Sequence, residues 1–292
     1  MIIKISYSKT EALEREIIAI RNSLSSQSCG AYFSRYPTPE SYFEDFISKP
    51  DGLEVERHLK ALGESLRVLD IGAGTGKSSI YLAASGHCVS VVEPSAEACN
   101  VIDFGAQLYG LEITVYNSTA EYINKINNRF DVIIFNASLH HCDHPVLALR
   151  NCYNILVEGG QLQIVNEPFL PFFRTKRWFY KRLETHPQEM GHYGGNEHSY
   201  RYHEYLKMIK LAGFSKIDTV LNIRNNNYNI VLKQIEERKL NDMPIYNTRS
   251  KLIRKIYFYS ICKLSNSGFP GKLILYLMTR LSLLTTTFKA TK

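Results

Sequence analysis

The sequence predicts an α/β fold in which helices cover both faces of a mostly parallel sheet. Between about residues 66 and 168, apolar runs suited to buried strands alternate with helical periodicity, a pattern typical of parallel sheets with right-handed crossovers. The first of these strands leads into a glycine-rich turn, VLDIGAGTG, at residues 68–76. The second strand ends in an acid, Glu93, 23 residues after Asp70. Together these features predict a nucleotide-type site at the carboxyl edge of the sheet.

The glycine turn carries the strongest functional signal. Gly72, Gly74 and Gly76 lack a Cβ, so the backbone can turn tightly and approach a ligand closely. The helix that follows begins with free N–H groups that a ligand can meet. A dinucleotide fingerprint requires a third glycine where Lys77 stands, and a phosphate P-loop requires a glycine where Ile71 stands. Neither phosphate motif therefore fits.

The turn resembles the first motif of the class I S-adenosylmethionine-dependent methyltransferases. Further segments follow in the family's order: the acid-terminated strand VSVVEP, the strand at 113–116 with STAE after it, FDVIIF followed by LHH, and the glycine turn with strand VEGGQLQIVNEP. The resemblance covers about residues 66–168, with a weaker likeness to about 235. It implies a Rossmann-like, seven-stranded sheet, S-adenosyl-L-methionine as cofactor, and the subgroup that methylates small molecules and glycans.

The resemblance also implies which residues contact the cofactor. The glycine loop carries its methionine end, Asp70 lies near its amino group, and Glu93 accepts both ribose hydroxyls. Adenine contacts fall near Thr119-Ala120, where the family often has Asp-Ala. An N-terminal aromatic loop closes over the cofactor, with Tyr32 and Tyr36 as the lid candidates and plain packing of these rings as the alternative. The full predicted set is Asp70, Gly72, Ala73, Gly74, Gly76, Glu93, Pro94, Thr119, Ala120, Glu121, Asn136 and Tyr32.

Three residues are candidates for catalysis. His140 follows the fourth strand at the ligand-binding edge, where an imidazole of near-neutral pKa suits removal of a hydroxyl proton. We expect His141 to support the loop, and the alternative for His140 is that it only shapes the pocket. Glu167, directly after the fifth strand, is expected to bind substrate or hold the loop, and His198 is a second base candidate. No metal site is expected, because no remote ligand pair with zinc spacing appears.

Composition divides the chain into a near-neutral body and a basic tail. The net charge is +7, and residues 243–292 hold nine Lys or Arg and no acid, so the first 242 residues carry 7 − 9 = −2. We expect an N-terminal helical lid at 1–46, a methyltransferase domain at 47–238 with a substrate-pocket insertion at 169–200, and a basic amphipathic helical extension at 239–292. Two strands at 214–221 and 227–233 are expected to complete the sheet.

The tail leaves two interpretations open. Residues 245–292 alternate basic with large apolar residues, which fits peripheral contact with an anionic membrane. The pattern equally fits helices that pack on the body or across a dimer. A near-neutral body argues against a nucleic-acid partner. Six scattered cysteines without a C-x-x-C pair, and a start without a secretory signal, predict a cytoplasmic location, with the inner membrane face as its refinement.

These features favour O-methylation of a sugar or another hydroxylated metabolite, including a lipid-linked or glycan precursor. Polar residues near 190–198 and the tail motivate that expectation. The rival is N- or C-methylation of a small aromatic, quinone-like or natural-product acceptor, which the aromatic run at 169–180 would suit. A hypothesis of another class is a cofactor-binding subunit without catalytic activity.

Overall fold

The computed structural model describes residues 1–25, 28–47, 55, 57–185, 196–221, 268–281 and 286–292. Within them lies one eight-stranded sheet. In chain order its strands are β1 (Ile2–Lys4), β2 (Arg67–Ile71), β3 (Cys88–Glu93), β4 (Ile113–Asn117), β5 (Phe130–Asn136), β6 (Leu156–Val165), β7 (Lys216–Leu221) and β8 (Thr286–Thr291).

The sheet order is β1-β4-β3-β2-β5-β6-β8-β7. All pairs from β1 to β6 are parallel, whereas β8 runs antiparallel to both β6 and β7. The order reverses direction at β2, so the ends of β2, β3 and β5 border a crevice at the topological switch point. The predicted α/β class and Rossmann-like sheet are confirmed, and β1 adds an edge strand.

Helices cover both faces of the sheet. They are α1 (Glu11–Leu24), α2 (Cys29–Phe33), α3 (Pro39–Ile47), α4 (Lys77–Ala84), α5 (Ala96–Leu108), α6 (Pro145–Ile155), α7 (Lys176–Thr185), α8 (Tyr202–Leu211) and α9 (Gly268–Arg280). Two buried apolar clusters, one on each side of the sheet, hold them in place. None of the described helices is both long and apolar enough to cross a lipid bilayer.

The predicted N-terminal helical segment is present. Thr10 caps α1: its hydroxyl accepts the N–H of Leu13, and Leu13 and Ile17 lie on the buried face. The aromatic loop forms the short helix α2, which packs in the second cluster. Whether residues 1–46 move as a lid stays a prediction.

The end of the chain differs from the expected helical extension. Residues 286–291 form β8, which lies between β6 and β7 and completes the sheet. The strand expected at 227–233 lies outside the described residues, as does the stretch 245–267 of the tail. Phe288 and Ala290 of β8 are fully buried, so the apolar positions of this short run decide its place in the core. Only α9 confirms helix within the described part of the tail.

Candidate active site

A cavity of about 520 Å³ opens at the carboxyl ends of β2, β3, β4 and β5. Its size falls in the range typical of small-ligand sites. Of the predicted cofactor residues, Gly72, Ala73, Gly74, Glu93, Pro94, Thr119, Ala120, Glu121 and Asn136 line it. Sequence reasoning missed further lining residues, chiefly Leu13, Glu16 and Ile20 of α1, Phe46, Lys77, Ser78, Ser118, Ser138, Cys142, Asp143 and Glu197.

The glycine loop is built for close approach. Gly72 (φ 69°) donates its N–H to the Val92 carbonyl at 2.8 Å, and a Cβ there would lie 2.5 Å from the Ser138 Cβ. Gly76 (φ 77°) does not line the cavity: it packs against Ile102, which leaves no room for a side chain. Gly74 (φ 56°) faces open space, with no atom within 4 Å of a Cβ. Two glycines thus shape the loop and the third leaves room for a ligand.

Glu93 ends β3 with both carboxylate oxygens engaged by backbone. One accepts the Gly74 N–H at 3.0 Å, and the other accepts the Ser95 N–H at 2.9 Å. Burial raises the pKa of Glu93 to about 7, while these N–H groups oppose the rise. Each oxygen keeps a lone pair for a further donor, so the carboxylate can accept the two hydroxyls of a ribose at this position.

Asp70 holds the start of α4, the helix that follows the glycine loop. Its carboxylate accepts the Ser79 hydroxyl at 2.6 Å and is 2% exposed. Burial raises its pKa to about 6, opposed by that hydrogen bond. Asp70 does not line the cavity. Its position therefore fits a residue that anchors α4 beneath the glycine loop better than one that contacts a ligand amine.

The predicted adenine end follows β4. Thr119 precedes a 3₁₀ turn (Ala120–Lys125), and Glu121 accepts the His144 N–H at 3.2 Å. Ser118 is fully buried, its hydroxyl has no partner within the described structure, and it lines the cavity. A buried hydroxyl without a partner is costly. Ser118 therefore marks a place where a ligand polar group would be stabilised.

Glu167 organises the loop that follows β5. This fully buried carboxylate accepts the backbone N–H groups of Ser138, Leu139 and His140 at 2.9–3.1 Å. It also contacts the His140 Nδ1 at 2.9 Å and accepts the Tyr205 hydroxyl at 3.1 Å. Five partners saturate the carboxylate, so Glu167 positions the loop and His140 rather than contacting a substrate.

His140 presents its other nitrogen toward the cavity. With Nδ1–H assigned as donor to Glu167, the lone pair of the neutral ring lies on Nε2, 3.9 Å from a Glu197 carboxylate oxygen. Burial lowers the pKa of His140, but Glu167, Glu197 and Glu16 outweigh burial and hold the pKa above its ordinary value. Burial raises the pKa of Glu167, yet His140 and the loop N–H groups hold it below its ordinary value.

Two non-glycine residues in the left-handed region frame this loop. Ala137 (φ 51°) follows β5, and Asn166 (φ 59°) follows β6. The Ala137 N–H donates to the Val165 carbonyl at 2.9 Å, and the Asn166 side chain donates to Asn136 at 2.9 Å. Such backbone costs about 1–3 kcal/mol per residue and persists where surrounding contacts require it. In this protein the left-handed backbone of Ala137 and Asn166 turns the neighbouring residues Ser138 and Glu167 toward each other.

The contacts and the lowered pKa of His141 make it unsuited to act as a base. Its Nδ1 lies 2.6 Å from the Asn196 carbonyl and 3.5 Å from a Glu16 carboxylate oxygen. Burial, with His140 beside it, lowers the pKa of His141 to about 4. Glu16 accepts the Asn196 amide at 2.6 Å, and burial raises the pKa of Glu16 to about 8. These contacts join α1 to the segment after residue 195.

His140, His141 and Glu197 also offer one ligand atom each within 4.8 Å of one another. Two imidazoles and a carboxylate are a donor set that can hold a transition-metal cation. The sequence alone did not predict this cluster, because its third member, Glu197, is distant in sequence and is brought to the two histidines only by the fold.

Two predicted site residues lie elsewhere. Tyr32 does not line the cavity: it is buried among aromatic rings, and its hydroxyl lies 3.4 Å from that of Tyr42, which donates to the Thr75 carbonyl. His198 also stays outside the lining; its ring contacts the Tyr180 hydroxyl at 3.1 Å and its N–H donates to the His140 carbonyl. Of the described part of the insertion at 169–200, only Glu197 lines the cavity.

Known proteins share this architecture. Residues 68–160 match a family model described as a methyltransferase domain. Ubiquinone biosynthesis O-methyltransferase of Cereibacter sphaeroides is 33% identical over 118 residues, 40% of this chain and 48% of that protein. The same enzyme of Parvibaculum lavamentivorans is 31% identical over 128 residues, 44% of this chain and 50% of that protein. The chain thus matches about half the length of these curated relatives.

A solved structure extends the likeness in fold. Phosphoethanolamine N-methyltransferase 2 of Haemonchus contortus, in complex with S-adenosyl-L-methionine, aligns with a TM-score of 0.53 and 15% identity. The alignment covers 91% of this chain and 60% of that chain. At this identity the similarity shows the fold alone.

Fold and site together define an α/β protein that binds a nucleoside-containing cofactor at a glycine loop. Residues 68–160 form a methyltransferase domain of the class I S-adenosylmethionine-dependent type. S-adenosylmethionine is the methyl donor that this family implies. The residues present fit it: Glu93 offers two acceptor oxygens, Gly74 leaves open space, and the Ser118 hydroxyl awaits a partner.

Proposed function

We propose that this protein transfers the methyl group of S-adenosylmethionine to a hydroxyl oxygen of a small hydroxylated acceptor, such as a sugar or a glycan precursor. The observation that carries the proposal is the His140–Glu167 pair. Glu167 fixes the His140 Nδ1 at 2.9 Å, which leaves Nε2 on the side of the cavity. An imidazole held in this way suits the removal of a hydroxyl proton.

The cofactor supplies an electrophilic methyl group, and the residues of the chain supply the rest. Glu93 and the glycine loop would hold the donor at the ends of β2 and β3, and His140 would face the acceptor oxygen. As the oxygen–methyl bond forms and the sulfur–methyl bond breaks, with S-adenosylhomocysteine as leaving group, His140 Nε2 would take the hydroxyl proton and Glu167 would stabilise the resulting imidazolium. Alignment of donor and acceptor in the same cavity would add to the rate.

The function test compares acceptors and variants. Purified protein is incubated with methyl-labelled S-adenosylmethionine and either neutral sugars and sugar nucleotides or catechols and quinols, and product is detected by mass. We expect sugar-type acceptors to be methylated. His140→Ala should lower kcat by about 10²- to 10⁴-fold while cofactor binding is kept, and His203→Ala, an exposed histidine on α8, should have no effect.

The pH profile distinguishes a base from a residue that shapes the pocket. Because the carboxylates hold the pKa of His140 above its ordinary value, kcat should rise with pH through an apparent pKa above about 6.5. Glu167→Gln removes a negative charge and should shift that limb to lower pH. A profile that Glu167→Gln leaves unchanged contradicts the role of His140 as base.

Addition of a chelator distinguishes His140 as a general base from His140 as a metal ligand. We propose that His140 acts without a cation, so EDTA should leave the rate unchanged. Loss of activity in EDTA, with recovery on addition of Zn²⁺ or Mg²⁺, would instead assign His140, His141 and Glu197 to a metal.

The rival acceptor class has support from the relatives. Those proteins are named for O-methylation in ubiquinone biosynthesis, which favours an aromatic acceptor for this chain as well. The aromatic run at 169–180, however, does not line the cavity. Turnover of quinols but not of sugars would select the rival, and cofactor binding without turnover of any acceptor would indicate a non-catalytic subunit.

A further inference from the structure

Helix α9 carries its large apolar side chains on the side that faces solvent. Leu275 and Thr279, one turn apart, are 3% and 6% exposed and face the body of the protein. The opposite face presents large apolar residues that are 42–51% exposed: Leu273, Ile274, Tyr276, Leu277 and Leu281. Surface helices normally point polar residues outward. This reversal therefore indicates that the outer face contacts something other than water.

A second segment extends the same surface. The Phe172 N–H donates to the Leu281 carbonyl at 3.1 Å, so the turn at 171–174 abuts the end of α9. Phe172 is 52% exposed and Phe173 is 59% exposed. Seven of the 14 exposed large hydrophobic residues in the described ranges belong to these two segments. We name Phe172, Phe173, Leu273, Ile274, Leu277 and Leu281 the α9 patch, because such clustering marks interaction sites.

Cations and amphipathic rings border the patch. The Arg280 guanidinium contacts the Tyr276 hydroxyl at 2.6 Å and lies over the Tyr202 ring. Arg174 lies 4.1 Å from the ring centroid of Trp178. Tyr and Trp between an apolar surface and cations match the chemistry of a lipid headgroup region.

We propose that the α9 patch docks this protein on the surface of an anionic lipid bilayer. The apolar side chains enter the boundary between headgroups and acyl chains, while Arg174 and Arg280 meet lipid phosphates. At 13 residues, α9 is about 20 Å long, which suits lying in the interface. The proposal concerns the α9 patch and is independent of the identity of the methyl acceptor.

Charge decides between a bilayer and a second copy of the chain. A two-fold dimer would bring the same surface of both copies together. Arg174 and Arg280, which border the patch, would then lie close to the same cations of the second copy, which is unfavourable. An anionic bilayer supplies that complement and covers the apolar side chains at the same time.

The test uses the full chain and sedimentation with vesicles. Wild-type protein should pellet with phosphatidylcholine vesicles that contain phosphatidylglycerol, bind less to pure phosphatidylcholine, and lose affinity in high salt. Leu273→Asp/Leu277→Asp should lower vesicle affinity by about tenfold or more. Leu108→Asp on α5, where Leu108 is 52% exposed, is the matched control and should bind like wild type. Thermal unfolding midpoints confirm that all variants fold.

Three results would overturn the proposal. The first is wild-type protein that stays in the supernatant with anionic vesicles. The second is equal binding of the patch variant and the Leu108→Asp control. The third is a dimer in light scattering that dissociates on Leu273→Asp/Leu277→Asp, which would assign the α9 patch to self-association.

Discussion

Glu93 combines two tasks at the end of β3. Its carboxylate accepts the N–H groups of Gly74 and Ser95, so it fixes the glycine loop to the start of α5. The same oxygens line the cavity and can accept ligand hydroxyls. Because these contacts come from residues 74 and 95, Glu93 organises the glycine loop and the start of α5 together.

We predict that Glu93→Ala weakens binding of S-adenosylmethionine and S-adenosylhomocysteine alike. The loss should be about 1–3 kcal/mol, equivalent to roughly 5- to 150-fold in Kd, since both ligands carry the same ribose. Calorimetric titration measures it. Glu11→Gln, an acid whose side chain is 86% exposed, is the control. Equal affinity for wild type and Glu93→Ala would show that the ribose lies elsewhere.

At the scale of elements, β8 joins the chain terminus to the active site. Phe288 lies at the centre of an aromatic group, with ring centroids 5.6–5.9 Å from those of Phe169, Tyr202 and Tyr205. The Tyr205 hydroxyl in turn donates to Glu167. Residues 286–291, near the end of the basic tail, therefore form part of the core behind the loop that carries His140.

We predict that Phe288→Ala lowers the free energy of unfolding by about 3–5 kcal/mol, since truncation of a buried aromatic residue leaves a cavity. Urea unfolding measures the change. Phe173→Ala removes the same ring from a 59% exposed position and should stay within about 0.5 kcal/mol of wild type. Similar stabilities for the two variants would contradict the place of β8 in the core.

At the scale of the whole molecule, the cavity concentrates buried acids. Burial raises the pKa of Glu93 to about 7 and that of Glu16 to about 8, and nearby carboxylates hold the pKa of His140 above its ordinary value despite its burial. Each group binds protons more tightly in the folded state than in the unfolded chain. Stability that depends on those protons is present at lower pH and is lost as pH rises through the folded pKa.

We therefore predict that the free protein becomes less stable between about pH 6.5 and 8. Glu16→Gln should make this dependence shallower, because it removes one of the three groups, whereas the exposed Glu11→Gln should not. S-adenosylmethionine, a cation at its sulfur, should also flatten the slope by favouring the ionised acids. Thermal unfolding across this pH range is the measurement, and a midpoint that rises toward pH 8 would contradict the prediction.

Much of the cofactor half could be predicted from sequence because its determinants are local. The glycine spacing at 72–76, the acid that ends β3 and the alternation of strands and helices lie within short stretches whose geometry the backbone dictates. The sequence thereby determined the fold class, the resemblance to the methyltransferases, the expected cofactor and nine of the cofactor residues that line the cavity. It also placed His140 at the correct edge of the sheet.

Only the tertiary structure decided which residues surround His140 and His141. Glu16 belongs to an N-terminal helix and Glu197 follows residue 195, yet both face His140 and His141. The saturation of Glu167, the exclusion of Tyr32 from the cavity and the insertion of β8 between β6 and β7 are equally non-local. Such contacts join residues up to 180 positions apart. They depend on how distant elements pack, which a local pattern does not encode.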